Sequence, residues 1–186
     1  MKQETFWKIK VAIAFLILLS MCFLIENISS SCVSSAKSKM SDRKFTEKNE
    51  SIKNFDVNED EIFALVNDER RKNKLGALAF DNQLSEIARN YSRQMAEENF
   101  FDHFDPNGVD VVVRAKRANL RHWSKIGENL FSVENLEDFD AFAVKNWMES
   151  PTHRQNILDM DFNTAGIGIF ESNSGEIFIT QVFIKR

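Results

Sequence analysis

The stretch Glu176-Ile177-Phe178-Ile179-Thr180-Gln181-Val182-Phe183-Ile184 is strand-like and largely apolar on both of its faces. Successive side chains of an extended chain point to opposite sides. Ile177, Ile179 and Phe183 therefore share one face, and Phe178, Val182 and Ile184 the other. A strand that hides both faces needs helices above and below its sheet. A second strand-like run, Ala165-Gly166-Ile167-Gly168-Ile169-Phe170, precedes it. Ser172-Asn173-Ser174-Gly175 joins the two as a hairpin loop.

The covering helices lie earlier in the chain. Asn58, with Glu61 three residues on, resembles a capping box. Ile62, Leu65 and Val66 follow at helical spacing, which predicts a helix over 59–73, with Gly76 just past its end. Asp81 is a good N-cap for a second helix, in which Leu84, Ile87, Ala88, Tyr91 and Met95 form one stripe through about residue 98. Asp105-Pro106-Asn107-Gly108 reads as a turn, and Asp110 as the cap of a helix over 111–119. A fourth helix runs from about Leu136 to Glu149, turning Phe139, Ala143, Val144, Trp147 and Met148 inward. Pro151 suits the first position of a short fifth element. Helices first and strands last predict an α+β fold: a three-layer α-β-α sandwich with a central, mainly antiparallel sheet.

The N-terminal part is of another kind. Lys2, Lys8 and Lys10 precede an uncharged apolar run over residues 11–25. Its 15 residues fall short of the roughly 20 that a spanning helix needs. A basic region followed by such a run marks export, so residues 1–28 read as a signal peptide or an N-terminal membrane anchor. Small residues at Ser34-Ser35-Ala36 suit cleavage, and Phe6 and Trp7 suit retention at a membrane interface. Neither Cys22 nor Cys32 follows the run expected of a lipidation site. Residues 29–57, rich in Ser, Lys, Asn and Glu, read as a flexible polar linker, leaving 58–186 as the folded domain. Both cysteines lie within the first 32 residues, so that domain depends on its core alone, with Phe (17 in the chain) a major component. The chain carries a net charge of −4, made up of +1 over residues 1–36 and −5 over the rest. No basic surface is implied and nucleic acid is an unsuitable partner. Membrane contact is expected only through the N-terminal segment.

Three polar stations carry the candidate chemistry: Phe101-Asp102-His103-Phe104, Ile126-Gly127-Glu128-Asn129-Leu130, and Ser150-Pro151-Thr152-His153-Arg154. If His103, Glu128 and His153 converge, two neutral imidazoles could ligate a divalent metal, zinc above all, with the carboxylate completing or orienting the site. The same trio could do acid–base work, one imidazole held by the carboxylate. The structural alternatives are a hydrogen-bonded His103 beside aromatic residues, a turn-capping Glu128, an Arg154 paired with a surface acid and a His122 simply on the surface.

Taken in order, FDHFDPNG (101–108), GENL (127–130), the Trp147 to Leu158 stretch ending SPTHRQNIL, GIGI (166–169) and ITQVF (179–183) resemble the CAP superfamily of cysteine-rich secretory, antigen 5 and pathogenesis-related proteins. The similarity is to its short secreted bacterial branch, which LVNDERRKNKLGALAFDNQLSEIARNYSRQMA (65–96) also fits. The resemblance implies an α-β-α sandwich and a cleft of two histidines and two acids that holds zinc or another divalent ion in some members. His103 and Glu128 match two of these positions, His153 stands as a substitute for the second histidine, and Glu149 is a weaker match to the second acid. In this reading Ser150 caps the fifth helix, whose dipole disfavours a protonated His153. The expected function is that of a secreted or surface-tethered envelope protein, non-enzymatic, whose cleft binds a cell-wall component, a small lipid or a protein. The alternatives are a metal-dependent hydrolase acting on peptides or wall polymers and a lipid carrier. No Ser-His-Asp or Cys-His nucleophile arrangement is evident.

Overall fold

Residues 55–186 are described by the computed structural model, and the signal-or-anchor segment and most of the linker lie outside the described residues. The elements in chain order are α1 (55–72), β1 (Ala79–Phe80), α2 (Asn82–Glu98), α3 (Val111–Arg117), β2 (Lys125–Glu134), α4 (Phe139–Glu149), α5 (Pro151–Ile157), β3 (Thr164–Glu171) and β4 (Glu176–Lys185). Helix α1 covers residue 55, so Asn58 lies inside it and is not its cap. The Asn58 side chain instead donates to Asp140 Oδ2 at 2.7 Å, tying α1 to the first turn of α4. The caps expected of Asp81 and Asp110 are present: their carboxylates accept from Leu84 N and Val113 N, both at 2.9 Å.

The sheet has the order β1-β3-β4-β2. Strand β4 pairs antiparallel with both β3 and β2, and β1 pairs parallel with β3. Both faces of β4 are covered, as its apolar character requires. On one side Ile177, Ile179 and Phe183 pack with Ile62 and Val66 of α1, Trp147 of α4 and Ile157 of α5. On the other, Val182 and Ile184 meet Leu84, Ile87 and Ala88 of α2 and Ala115 of α3, while Phe178 meets Tyr91 and Met95. The expected three-layer sandwich is the observed one.

The glycines of GIGI set how closely α2 lies on the sheet. A Cβ on Gly166 would come 2.3 Å from Ser85 N, and one on Gly168 would come 2.0 Å from Arg89 N. Both approaches are to backbone, so the contact demands the missing side chains.

The sheet edges are covered by side chains, which blunts the tendency of an open edge to pair with another chain. Beyond the two-residue β1, Ile169 N donates to Glu59 Oε1 at 3.0 Å and Ile167 N to Ser85 Oγ at 3.1 Å. Glu59, almost fully buried, also takes the Arg89 guanidinium, joining α1 to α2 around this edge. Burial nevertheless raises the Glu59 carboxyl above its ordinary pKa, against the pull of Arg89 and Ile169 N. At the other edge, Trp147 Nε1 donates to Leu130 O at 2.9 Å and Asn156 Nδ2 to Glu128 O at 3.1 Å.

Candidate functional site

Strand β2 is where the polar stations meet. Its residues alternate across the sheet: Glu128 stands opposite Val182 and Asn129 opposite Gln181. Glu128 therefore faces the α2–α3 layer and Asn129 the α4–α5 layer. The sequence predicts no strand here, and its structural alternative for Glu128 is a turn cap; a Glu-Asn pair interrupts the apolar alternation that marks a strand. The structure places them in mid-strand and gives each a set of partners.

Glu128 is buried, its side chain only 3% exposed. His103, on the loop after α2, sets Nδ1 2.8 Å from Glu128 Oε1. Facing an ionised carboxylate, that nitrogen carries the proton and donates it. The second carboxylate oxygen takes a charge-assisted hydrogen bond from Arg114 Nη2 of α3. Glu128 thus caps no turn; each oxygen holds a side chain. The hydrogen bond to Glu128 raises the His103 pKa above the ordinary value, more than partial burial lowers it.

Arg114 organises the loop. Its Nη1 donates to Val109 O at 3.0 Å and His103 O at 3.3 Å, and its guanidinium lies over the Tyr91 ring, 3.2 Å from the centroid. The Tyr91 hydroxyl donates to Asp102 O at 2.6 Å. Burial first among its causes pushes the Tyr91 pKa up to about 12, so the phenol keeps its proton. Sequence reading missed Arg114 as a site residue and read Tyr91 as core alone. Tyr91 is core, and its ring is also the platform for the guanidinium. The one available signal was Arg114 four residues after the Asp110 cap, which predicts only a helical position.

The third station lies on the opposite face. Asn129 Nδ2 donates to His153 O at 3.1 Å, and Asn156 Nδ2 to Asn129 Oδ1 at 2.9 Å. Asn156 reaches both Glu128 O and Asn129, so it ties α5 to the same two residues of β2 that organise the other face. His153 is half-buried, and its pKa falls below the ordinary value through desolvation, with a further push from the charge on His103. That direction agrees with the expected neutral imidazole; burial is its first cause and the charge on His103 its second. Ser150 occupies the N-cap position of α5 without a capping hydrogen bond; its Oγ lies 3.4 Å from Thr152 Oγ1. His122 is exposed, as expected.

Glu149 is elsewhere. It lies 3.9 Å from Lys145 Nζ and lines a hollow of 390 Å³ between α1 and α4 with Leu65, Val144 and Met148. Among the described residues no three His, Cys, Asp or Glu side chains are grouped to hold a metal ion. Glu128, shared between His103 and Arg114, is placed to orient an imidazole and not to coordinate. The donor set therefore does not match the three or four protein ligands of a resident zinc. Two imidazoles remain, one steadied by a carboxylate from behind.

The model of the cysteine-rich secretory protein family, CAP, matches residues 63–183. Over 128 residues the chain is 34% identical to Bacillus subtilis "Uncharacterized protein YkwD", covering 69% of this chain and 47% of that one. Over 130 residues it is 31% identical to "Uncharacterized membrane protein YlbC" of the same organism, covering 70% and 35%. The chain thus spans less than half the length of these two relatives. Among solved structures, an extracellular SCP-domain protein of Bacillus anthracis superposes with TM-score 0.62 at 30% identity, covering 70% of this chain and 41% of that one. An outer surface protein of Borrelia burgdorferi gives 0.63 at 20% identity, covering 70% and 93%, a likeness of fold alone. The family match, the identities and the observed sandwich agree, and the chain belongs to the cysteine-rich secretory protein, or CAP, family.

Proposed function

We propose that the domain is a non-enzymatic recognition module of a secreted or surface-tethered envelope protein, which binds a wall component, a small lipid or a protein at the β2 edge around His103 and His153. The observation that carries this reading is the saturation of Glu128. Both of its oxygens are held, one by His103 and one by Arg114, and the side chain is shut from solvent. Such a carboxylate orients and charges an imidazole. With Nδ1 held from behind, His103 presents Nε2 as its free recognition atom. Beside it, Phe101 and Phe104 are 49% and 56% exposed, offering apolar contact on the same loop. The extracellular description of the Bacillus anthracis protein supports an outward-facing location. Any divalent cation would rest on the two imidazoles, with Glu128 steadying His103 from behind, and no step in this reading runs through one.

A hydrolase is the second reading. It draws on the 2.8 Å contact between His103 and Glu128, since a carboxylate that fixes an imidazole tautomer is also part of acid–base machinery.

The test is an NMR titration of the purified chain with soluble muropeptides, with fatty acid and with zinc sulfate in separate arms. The reading expects shifts centred on His103 and His153 in the muropeptide or fatty-acid arm, lost in Glu128→Gln, with no product formed. Zinc is expected to move the same imidazoles and to saturate only in large excess. Shifts confined to other surfaces would overturn the reading, and muropeptide turnover would select the hydrolase.

A further inference from the structure

Arg154 follows His153 directly, yet the site above does not use it. A pairing with a surface acid is the structural alternative that its sequence position offers. Among the described residues its guanidinium has no ion-pair partner and no side-chain hydrogen bond. The acid that lines the same hollow, Asp159, is committed elsewhere: Oδ2 to Lys125 Nζ at 2.5 Å, and Oδ1 accepting from Asp161 N at 2.8 Å. Arg154 instead lines a hollow of 560 Å³ with Pro151, Gln155, Leu158, Asp159 and Met160. Met160 is 81% exposed, far more than any other large apolar side chain of the domain except Val57 at 63%. One guanidinium, one amide, three apolar side chains and the Asp159 carboxylate, already paired with Lys125, thus line a wide, open hollow on the surface.

From this juxtaposition we infer that the hollow beside α5 is a second binding site, distinct from the His103–Glu128 edge, which takes the C-terminal carboxylate and apolar last side chain of a peptide. The planar guanidinium matches a carboxylate through two parallel N–H···O bonds. Gln155 can donate to the same group or to the preceding peptide carbonyl. Pro151, Leu158 and the flexible thioether of Met160 form the surface for one apolar side chain. A phosphate-rich polymer is the poorer match, because affinity for it grows with the number of cations and Arg154 is the one free cation lining this hollow. The backbone on either side of Leu158 is held: Ile157 O and Asp159 O both accept from Arg70 Nη1 at 2.8 Å.

The probe is acetyl-Gly-Gly-Leu with a free C-terminus, measured by calorimetry on the purified chain against its C-terminal amide and inorganic phosphate. The free acid is expected to bind at least roughly tenfold more tightly than the amide, the loss of a charge-assisted bidentate pair. Arg154→Gln is expected to abolish that difference, and Met160→Ser to weaken the acid and the amide alike. Arg93→Gln, which removes a cation from above the Phe170 ring on another surface, is expected to change neither. Unfolding midpoints of the variants establish that all are folded. Equal binding of acid and amide, binding insensitive to Arg154→Gln, phosphate bound as tightly as the acid, or no binding of the acid would each overturn the inference. Because Glu128 and His103 play no part here, Glu128→Gln in the same experiment separates failure at this site from failure at the β2 edge.

Discussion

Arg70→Met is expected to destabilise the domain by about 3–5 kcal/mol, near the upper limit for a single substitution. Arg70 is 2% exposed and forms no ion pair among the described residues. Its guanidinium is spent on four carbonyls: Gly76 O at 2.8 Å from Nε, Ile157 O and Asp159 O at 2.8 Å from Nη1, and Phe162 O at 3.0 Å from Nη2. These carbonyls close α1, the end of α5 and the chain entering β3 onto one point. Methionine fills much of the volume and satisfies none of them. Buried acceptors left without donors each cost about 1–3 kcal/mol, while those that recover water cost less. Arg70→Lys can replace only part of the fork, so it should fall between the two. Urea unfolding checks the order. A loss under about 1 kcal/mol in Arg70→Met would mean that water replaces the guanidinium at little cost.

The second large effect is expected of Gly168→Ala. The new methyl would lie 2.0 Å from Arg89 N and 2.3 Å from Ala88 C, so the whole helix α2 must withdraw from β3. A displaced helix costs more than a displaced side chain. The expected loss is about 3 kcal/mol or more, at the top of the range for overpacking. Because α2 carries Arg89 and Tyr91, the shift should also loosen the Glu59 pairing and the Asp102 contact. Gly76→Ala is the matched control: a Cβ there meets nothing within 4 Å, and the change should be close to neutral. Thermal unfolding of the two variants reads the difference. Equal midpoints would contradict the close packing of α2 on the GIGI strand.

These predictions rest on packing that sequence shows unevenly. Helix α2 was legible because a capping aspartate and a regular apolar stripe lie within one short stretch. Strand β4 was legible because both of its faces are apolar and nothing but a middle layer accommodates that. Strand β2 was not. Glu128 and Asn129 are tolerable in mid-strand only because His103, Arg114, His153 and Asn156 compensate them, and these partners lie 14 to 28 residues away in sequence. Nothing local predicts such contacts. Arg114 was missed for the same reason: its identity as a site residue is conferred by Glu128 across the gap between α3 and β2. Glu149 shows the opposite error. It sits one residue from the matching position, and that single step turns it into the hollow between α1 and α4.

The histidines bear most directly on whether the stations form one site. The sign of each effect follows from its cause. A hydrogen-bonded carboxylate favours imidazolium, so His103 titrates above the ordinary histidine value and stabilises the fold below that range, an effect lost as pH rises through its folded pKa. Burial and a neighbouring positive charge oppose imidazolium, so His153 titrates below the ordinary value, and stability falls as pH drops through that range. The decisive measurement is an NMR pH titration of the imidazole Cε1–H signals in the wild type, Glu128→Gln and His103→Ala. The expected result is a high His103 midpoint that falls in Glu128→Gln, and a low His153 midpoint that rises in His103→Ala. A His153 midpoint that ignores the loss of His103 would place the two imidazoles in separate surroundings and contradict a shared site at the edge of β2.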